Sequence, residues 1–115
     1  MEQLNRIELR GVVGNVRVQG AAGRKVYHIN LATSRAYKDR NGAAVIETTW
    51  HHVVVWESEN FQDLDKIEKG SKLFVSGRIR NQKYTGNDET ERYSVEVVAN
   101  RVAFVDSDES LSCEM

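Results

Sequence analysis

The sequence predicts a mostly β domain: a small closed Greek-key barrel of five strands, with one short helix between the third and fourth. Three observations carry that expectation. Apolar and polar residues alternate over several long stretches. Glycines interrupt those stretches where a strand would have to bend or bulge. One segment alone switches to a period near three. The 115 residues contain no proline, which suits strands that donate all their ladder hydrogen bonds.

The elements follow in order. Asn5 to Val18 alternates and is broken by Gly11 and Gly14, so a long first strand bends or bulges there. Gly20-Ala21-Ala22-Gly23 is a turn. Lys25 to Arg35 is the second strand, with Val26, Ile29 and Leu31 as its apolar members. Tyr37 to Val45 is a polar loop with Asp39-Arg40-Asn41-Gly42 at its tip. The third strand runs from Glu47 to Glu57. From Ser58 to Lys69, Phe61, Leu64 and Ile67 recur among polar residues, which predicts an amphipathic helix. Ser58 or Asn60 would cap its start and Gly70 would end it. Lys72 to Tyr84 is the fourth strand, Thr85 to Thr90 a hairpin loop, and Glu91 to Val105 the fifth strand. Three strands, a helix and two strands match the oligonucleotide/oligosaccharide-binding (OB) barrel.

A chain of this length forms one domain and can bury a core without disulfide or metal staples. The single cysteine, Cys113, has no internal partner, which fits a reducing compartment. The N-terminus lacks a secretory core and no run approaches the roughly 20 apolar residues of a membrane span, so a cytoplasmic protein is expected. Net charge is −1, but the acidic residues Asp106, Asp108, Glu109 and Glu114 all follow residue 105. Residues 1–105 carry 16 basic against 13 acidic side chains, a net +3. The division is therefore a mildly basic domain, 1–105, and a short acidic tail, 106–115. Any anion-binding patch must be local.

The most informative stretch is Thr49 to Trp56. In a strand, Trp50, His52, Val54 and Trp56 share one face, while Val53 and Val55 point to the other. Two indoles in a row on a sheet surface suit the stacking of unpaired bases. The bland alternative is that both are core. On the fourth strand Arg78, Arg80, Gln82 and Tyr84 share parity, so cations and a ring flank one path. Arg35, Lys38, Arg40 and Lys83 add charge around the loops. His51 and His52 face opposite sides of their strand and make no metal pair. His52 is placed on the candidate surface, His51 in packing or a subunit contact, and His28 in a structural role. Tyr93 and Phe74 read as core or interface. No nucleophile–base arrangement, phosphate loop or carboxylate cluster is present in the pattern, so neither catalysis, cofactor nor metal is expected.

Five blocks carry a resemblance: Asn5 to Asn15, Ile29 to Ser34, Thr49 to Val55, Lys69 to Arg80 and Arg92 to Val98. In order and in register they resemble the bacterial single-stranded DNA-binding protein (SSB) family from about residue 5 to 105. The resemblance implies an OB barrel that binds single-stranded DNA with little sequence preference in replication, recombination or repair. It implies stacking on Tyr37, Trp50, Trp56 and Tyr84, and a homotetramer in which first strands help to pair protomers. Tyr37 and Tyr84 stand where tryptophan is common, and Trp56 where phenylalanine is usual. The family's proline-containing first hairpin region is shorter here. Its long linker and acidic, Pro-Phe-ended tip have no match in Asp106 to Met115, so recruitment of replication or repair proteins is not carried over. The alternatives are a dimeric accessory protein similar to the primosomal replication protein N family, and an OB adaptor that buries its tryptophan face against a protein.

Overall fold

The computed structural model describes residues 1–21, 23–59, 61, 63–85 and 89–105, and for Ala21 and Tyr84 the backbone alone. The expected hairpin tip at Gly86 to Asp88, a cap at Asn60, and the whole acidic tail with Cys113 lie outside the described residues. Five strands, β1 (Ile7–Ala21), β2 (Arg24–Lys38), β3 (Ala44–Trp56), β4 (Lys72–Thr85) and β5 (Glu91–Phe104), close a barrel in the order β1-β2-β3-β5-β4. All neighbours are antiparallel except β3 and β5, which pair in parallel at Val53↔Val97 and Val54↔Val98. This is the OB architecture expected from the sequence.

Closure follows from β1. Its first half pairs with β4 (Ile7↔Gly77 to Val12↔Lys72) and its second half with β2 (Val12↔Ala32 to Ala21↔Arg24). The register shifts between Val13 and Asn15, so Gly14 sits in a bulge. The bulge reverses which side chains face inward: Ile7, Leu9 and Val13 point in before it, Val16 after it. Two further glycines mark close backbone crossings. A Cβ on Gly11 would lie 2.2 Å from the Ala32 carbonyl oxygen, and one on Gly77 would lie 2.1 Å from that of Val98.

The barrel interior holds Val13, Tyr27, Ile29, Leu31, Val53, Val55, Leu73, Val75 and Val97. Burying a side chain of this size contributes about 1.5–3 kcal/mol, so the alternating positions of β2 to β5 supply most of the driving force. Hairpin β2–β3 is longer than its apolar pattern suggests. It pairs without a break from Val26↔Trp56 to Lys38↔Ala44, leaving only Asp39 to Ala43 as loop. The Asp39 carboxylate closes that loop, accepting from the backbone N–H of Asn41 and Ala43 at 2.8 and 2.9 Å.

Among the described residues, the expected helix from Ser58 to Lys69 is replaced by one 3-10 turn, Leu64–Lys66. Asp63 before it has left-handed backbone (φ 60°), and Ile67 after it is extended. Neither Ser58 nor Gly70 bounds the turn; Gly70, with φ +93°, turns the chain towards β4. The three-residue spacing reports burial without specifying an α-helix: Leu64 and Ile67 still plug the barrel end, with Phe61 packed against them. The segment is fixed to β1 by Gly70 N–H to the Val13 carbonyl and Val13 N–H to the Ser71 carbonyl, both 2.8 Å. Among the described residues, no helix is long and apolar enough to cross a membrane.

Candidate nucleic-acid interface

Strand β3 has no register break against β2, so the alternation read from its sequence holds throughout. Val53 and Val55 are fully buried inside the barrel. Trp50, His52, Val54 and Trp56 lie on its outer face, with Trp50 60% and Trp56 37% exposed. Val54 is the exception on that face: its neighbours cover it almost completely.

Each indole has its own seat. The ring of Trp50 reaches across Ala32 to the bulge in β1, where a Cβ on Gly14 would meet its Cζ3 at 2.4 Å and its Cη2 at 2.6 Å. The missing side chain at Gly14 is therefore what allows the ring to rest against the barrel. Trp56 stands beside Val26. The Arg24 guanidinium lies 5.7 Å from its ring centroid and is fixed by donating to the Glu57 carbonyl at 2.7 and 3.1 Å. A cavity of about 200 Å³ runs from Trp56 past Val54 to Arg80 and Gln82 on β4.

Between the two tryptophans the outer face is polar, and the ladder register sets its rows. One row runs Asn15, Asn30, His52 and then Glu96 and Arg80; the next runs Arg17, His28, Val54, Val98 and Arg78. His28 and His52 meet diagonally, with Nδ1 of one 3.0 Å from Nε2 of the other and the rings nearly parallel. Beneath them Glu96 is 2% exposed, and its Oε1 accepts two hydrogen bonds from the Arg80 guanidinium, that from Nε at 2.9 Å. Its Oε2 faces His52 Nδ1 at 3.9 Å. The His28 pKa is lowered by burial, then by the His52 and Arg17 charges, with Glu96 opposing. That of His51, on the other side of β3 against the Thr33 hydroxyl, is lowered by burial.

The expected residues divide accordingly. Trp50, His52, Trp56, Arg78 and Arg80 share the outer face, although Arg80 is committed to Glu96. Tyr84 has the same backbone parity on β4, and its side chain lies outside the described residues. Tyr37 and Arg35 do not join this group. Their odd parity on β2 puts them on the opposite face of the β2–β3 hairpin, where the Arg35 guanidinium stacks 5.2 Å from the Tyr37 ring. Lys83 also faces away and pairs with Glu91 at 3.0 Å. Lys38 and Arg40 are exposed at the hairpin end. His28, expected in a structural role, lies beside His52 in the middle of this face. Asn15, Arg17, Asn30 and Glu96 were not anticipated. The signal for Asn15 and Arg17 was the phase change of apolar residues from odd to even at Gly14.

A family model for the single-strand binding protein family matches residues 4–105. A single-stranded DNA-binding protein of Xanthomonas axonopodis pv. citri (strain 306) is 36% identical over 101 residues, which are 86% of this chain and 56% of that protein. One from Neisseria meningitidis serogroup B is 33% identical over 102 residues, 86% of this chain and 58% of that protein. The chain thus spans somewhat over half the length of these relatives. Among solved structures, a Plasmodium falciparum SSB complex with ssDNA superposes with a TM-score of 0.81 at 28% identity, over 92% of this chain and 98% of that one. A single-stranded DNA binding protein from Thermus aquaticus gives 0.74 at 25% identity, over 91% and 52%.

Proposed function

The chain belongs to the single-strand binding protein family, and on that premise we propose that it coats single-stranded DNA with little sequence preference during replication, recombination or repair. Bases stack on Trp50 and Trp56 and, as family membership suggests, on Tyr84. His52, Arg78 and the cations around the hairpins, Lys38 and Arg40, hold phosphates. Tyr37 with Arg35 gives a second stacking and charge pair on the other side of the β2–β3 hairpin, reached only if the strand wraps around it. Arg80 acts mainly through Glu96, and Lys83 contributes the charge that Glu91 leaves. No catalytic step is needed.

The observation that carries this reading is the exposed Trp50 indole, seated on Gly14 with its ring uncovered on the outside of the barrel. An uncovered π-face costs solvation unless something lies on it, and every base offers a matching face, which makes the binding tolerant of sequence. The test is titration of intrinsic tryptophan fluorescence with oligo(dT). Quenching to saturation is expected; unchanged emission with no shift in mobility would defeat the proposal.

The protein assembles, in this reading, as a homotetramer. Support comes from β1: along Ile7 to Gly11 it has β4 on one side only, because pairing with β2 starts at Val12. A strand edge of that length outside the β2 ladder invites a second copy. Native mass at micromolar concentration reads the outcome: a tetramer is expected, a dimer would point to the primosomal type of accessory protein, and a monomer would refute assembly.

A further inference from the structure

The polar depression between the tryptophans is a site in its own right. It has a volume of about 170 Å³ and is lined by Asn15, Arg17, His28, Asn30 and His52. Asn30 Nδ2 donates to Asn15 Oδ1 at 2.8 Å, which fixes both amides at the rim. We propose that these five residues bind a phosphodiester of the polynucleotide, and that its arrival draws a proton onto the His28–His52 pair, so that single-stranded DNA is held more tightly as the solution is acidified. The inference rests on the proposed function and deepens it.

The argument starts from the hydrogen-bond chain. With both imidazoles neutral, the Glu96 carboxylate favours a proton on the near nitrogen of His52, Nδ1. His52 Nε2 is then an acceptor, and the 3.0 Å contact requires His28 Nδ1 to donate. That leaves His28 Nε2, on the opposite edge of its ring, as a lone pair. A lone pair repels a phosphate oxygen. One added proton at His28 Nε2 turns it into a charged donor, and the N–H groups along the chain keep their places. The depression then offers the Arg17 guanidinium, an imidazolium and the amides to one anion, the donor set that phosphate contacts in nucleic-acid complexes use.

The charges facing His28 come from every neighbouring strand: Arg17 on β1, His52 on β3, Glu96 on β5, and Arg80 on β4 behind Glu96. Arg80 occupies Glu96, so the carboxylate cannot fully neutralise a protonated pair. In the free protein burial, then the His52 and Arg17 charges, lower the His28 pKa and so disfavour its protonation. A bound phosphate screens Arg17 and supplies the missing counter-charge, so proton and phosphate bind cooperatively.

The test uses the full chain and oligo(dT), whose bases do not titrate near neutrality. Affinity is read by fluorescence anisotropy at pH 7.5 and 6.0, and proton uptake by calorimetry in two buffers of different ionisation enthalpy. Affinity should rise by about three- to tenfold on acidification, with up to about one proton taken up per protomer. The log–log salt slope should steepen by about 0.7 at pH 6.0, one further phosphate neutralised. In His28→Asn, checked for folding by near-UV circular dichroism, the rise and the uptake should both vanish. If that variant does not fold, His52→Asn makes the same comparison. Binding that is independent of pH with no proton uptake would overturn the inference and leave the proposed function standing. So would a rise that survives intact in a folded variant. Absence of oligo(dT) binding at both pH values would overturn the proposed function, and the inference with it.

Discussion

Gly14→Ala separates binding from stability in a way that only the seat of Trp50 explains. A Cβ at this position would stand 2.4 Å from Cζ3 of the indole, well inside van der Waals contact, so the ring must move. The move is cheap, because the obstructing atoms are the far end of a side chain that is 60% exposed. Gly14 has no left-handed backbone to strain, and alanine there restricts the unfolded chain, which stabilises by about 0.4–1 kcal/mol at a compatible site. Net stability should therefore change by less than about 1 kcal/mol in either direction. Binding should suffer much more. A ring tilted off its seat forfeits most of a stacking interaction of about 1–3 kcal/mol, or roughly 5- to 150-fold in Kd. The assay is anisotropy of a labelled oligo(dT) in a double-mutant cycle with Trp50→Ala. Once the ring is gone, Gly14→Ala should alter Kd less than about twofold, so the coupling energy should nearly equal the effect of Gly14→Ala alone. Equal losses in both backgrounds would show that Gly14 acts through the backbone bulge and not through the indole.

Other consequences follow from the same geometry. Gly77→Ala drives a Cβ into the Val98 carbonyl, where only backbone can yield, so it should cost on the order of 1–3 kcal/mol or more by chemical denaturation. Leu73→Ala opens a void in the middle of the barrel, for a loss of about 2–5 kcal/mol by the same measurement. Arg80→Ala strands the buried Glu96 carboxylate and should destabilise the fold by about 1–3 kcal/mol, whereas Arg78→Ala should leave stability unchanged and weaken DNA binding. The histidines make the fold sensitive to acid. His28 and His51 have pKa values lowered below the ordinary 6.5, so the unfolded chain binds protons first as pH falls. Stability should be flat above about pH 7, begin to fall near pH 6.5, and stop responding to these groups once the folded protein also takes up the protons. Melting curves across that range read the effect, and His51→Gln should shrink it.

What could be read from the sequence, and what could not, has a common physical origin in strand register. The face of β3 was legible because nothing interrupts its pairing with β2, so period two carries from Thr49 to Trp56 without slip. On β1 the same reading fails at Gly14. The bulge there reverses the alternation, bringing Asn15 and Arg17 onto the outer face although simple counting from Ile7 puts them inside. The Arg80–Glu96 pair was hidden for a related reason. Its partners are 16 residues apart, and their meeting depends on how β4 pairs with β5, which itself shifts register at Ser76 and Gly77. Tyr37 was grouped with Trp50 because the resemblance gives residue types and order, whereas parity along an unbroken hairpin decides the face. The 3-10 turn shows a different limit: apolar residues every third position announce a buried stripe, but Asp63 and Ile67 confine the helical geometry to a single turn.

The central claim is that the polynucleotide lies across Trp50 and Trp56 on the outside of the barrel. Photo-crosslinking of an oligonucleotide carrying 5-iodouracil, followed by mass-spectrometric mapping of the adducts, reads that contact directly. Adducts concentrated on Trp50 and Trp56 are the predicted result. Adducts confined to other aromatic residues, such as Phe74 between Arg10 and Arg101 on a different part of the barrel wall, would contradict it.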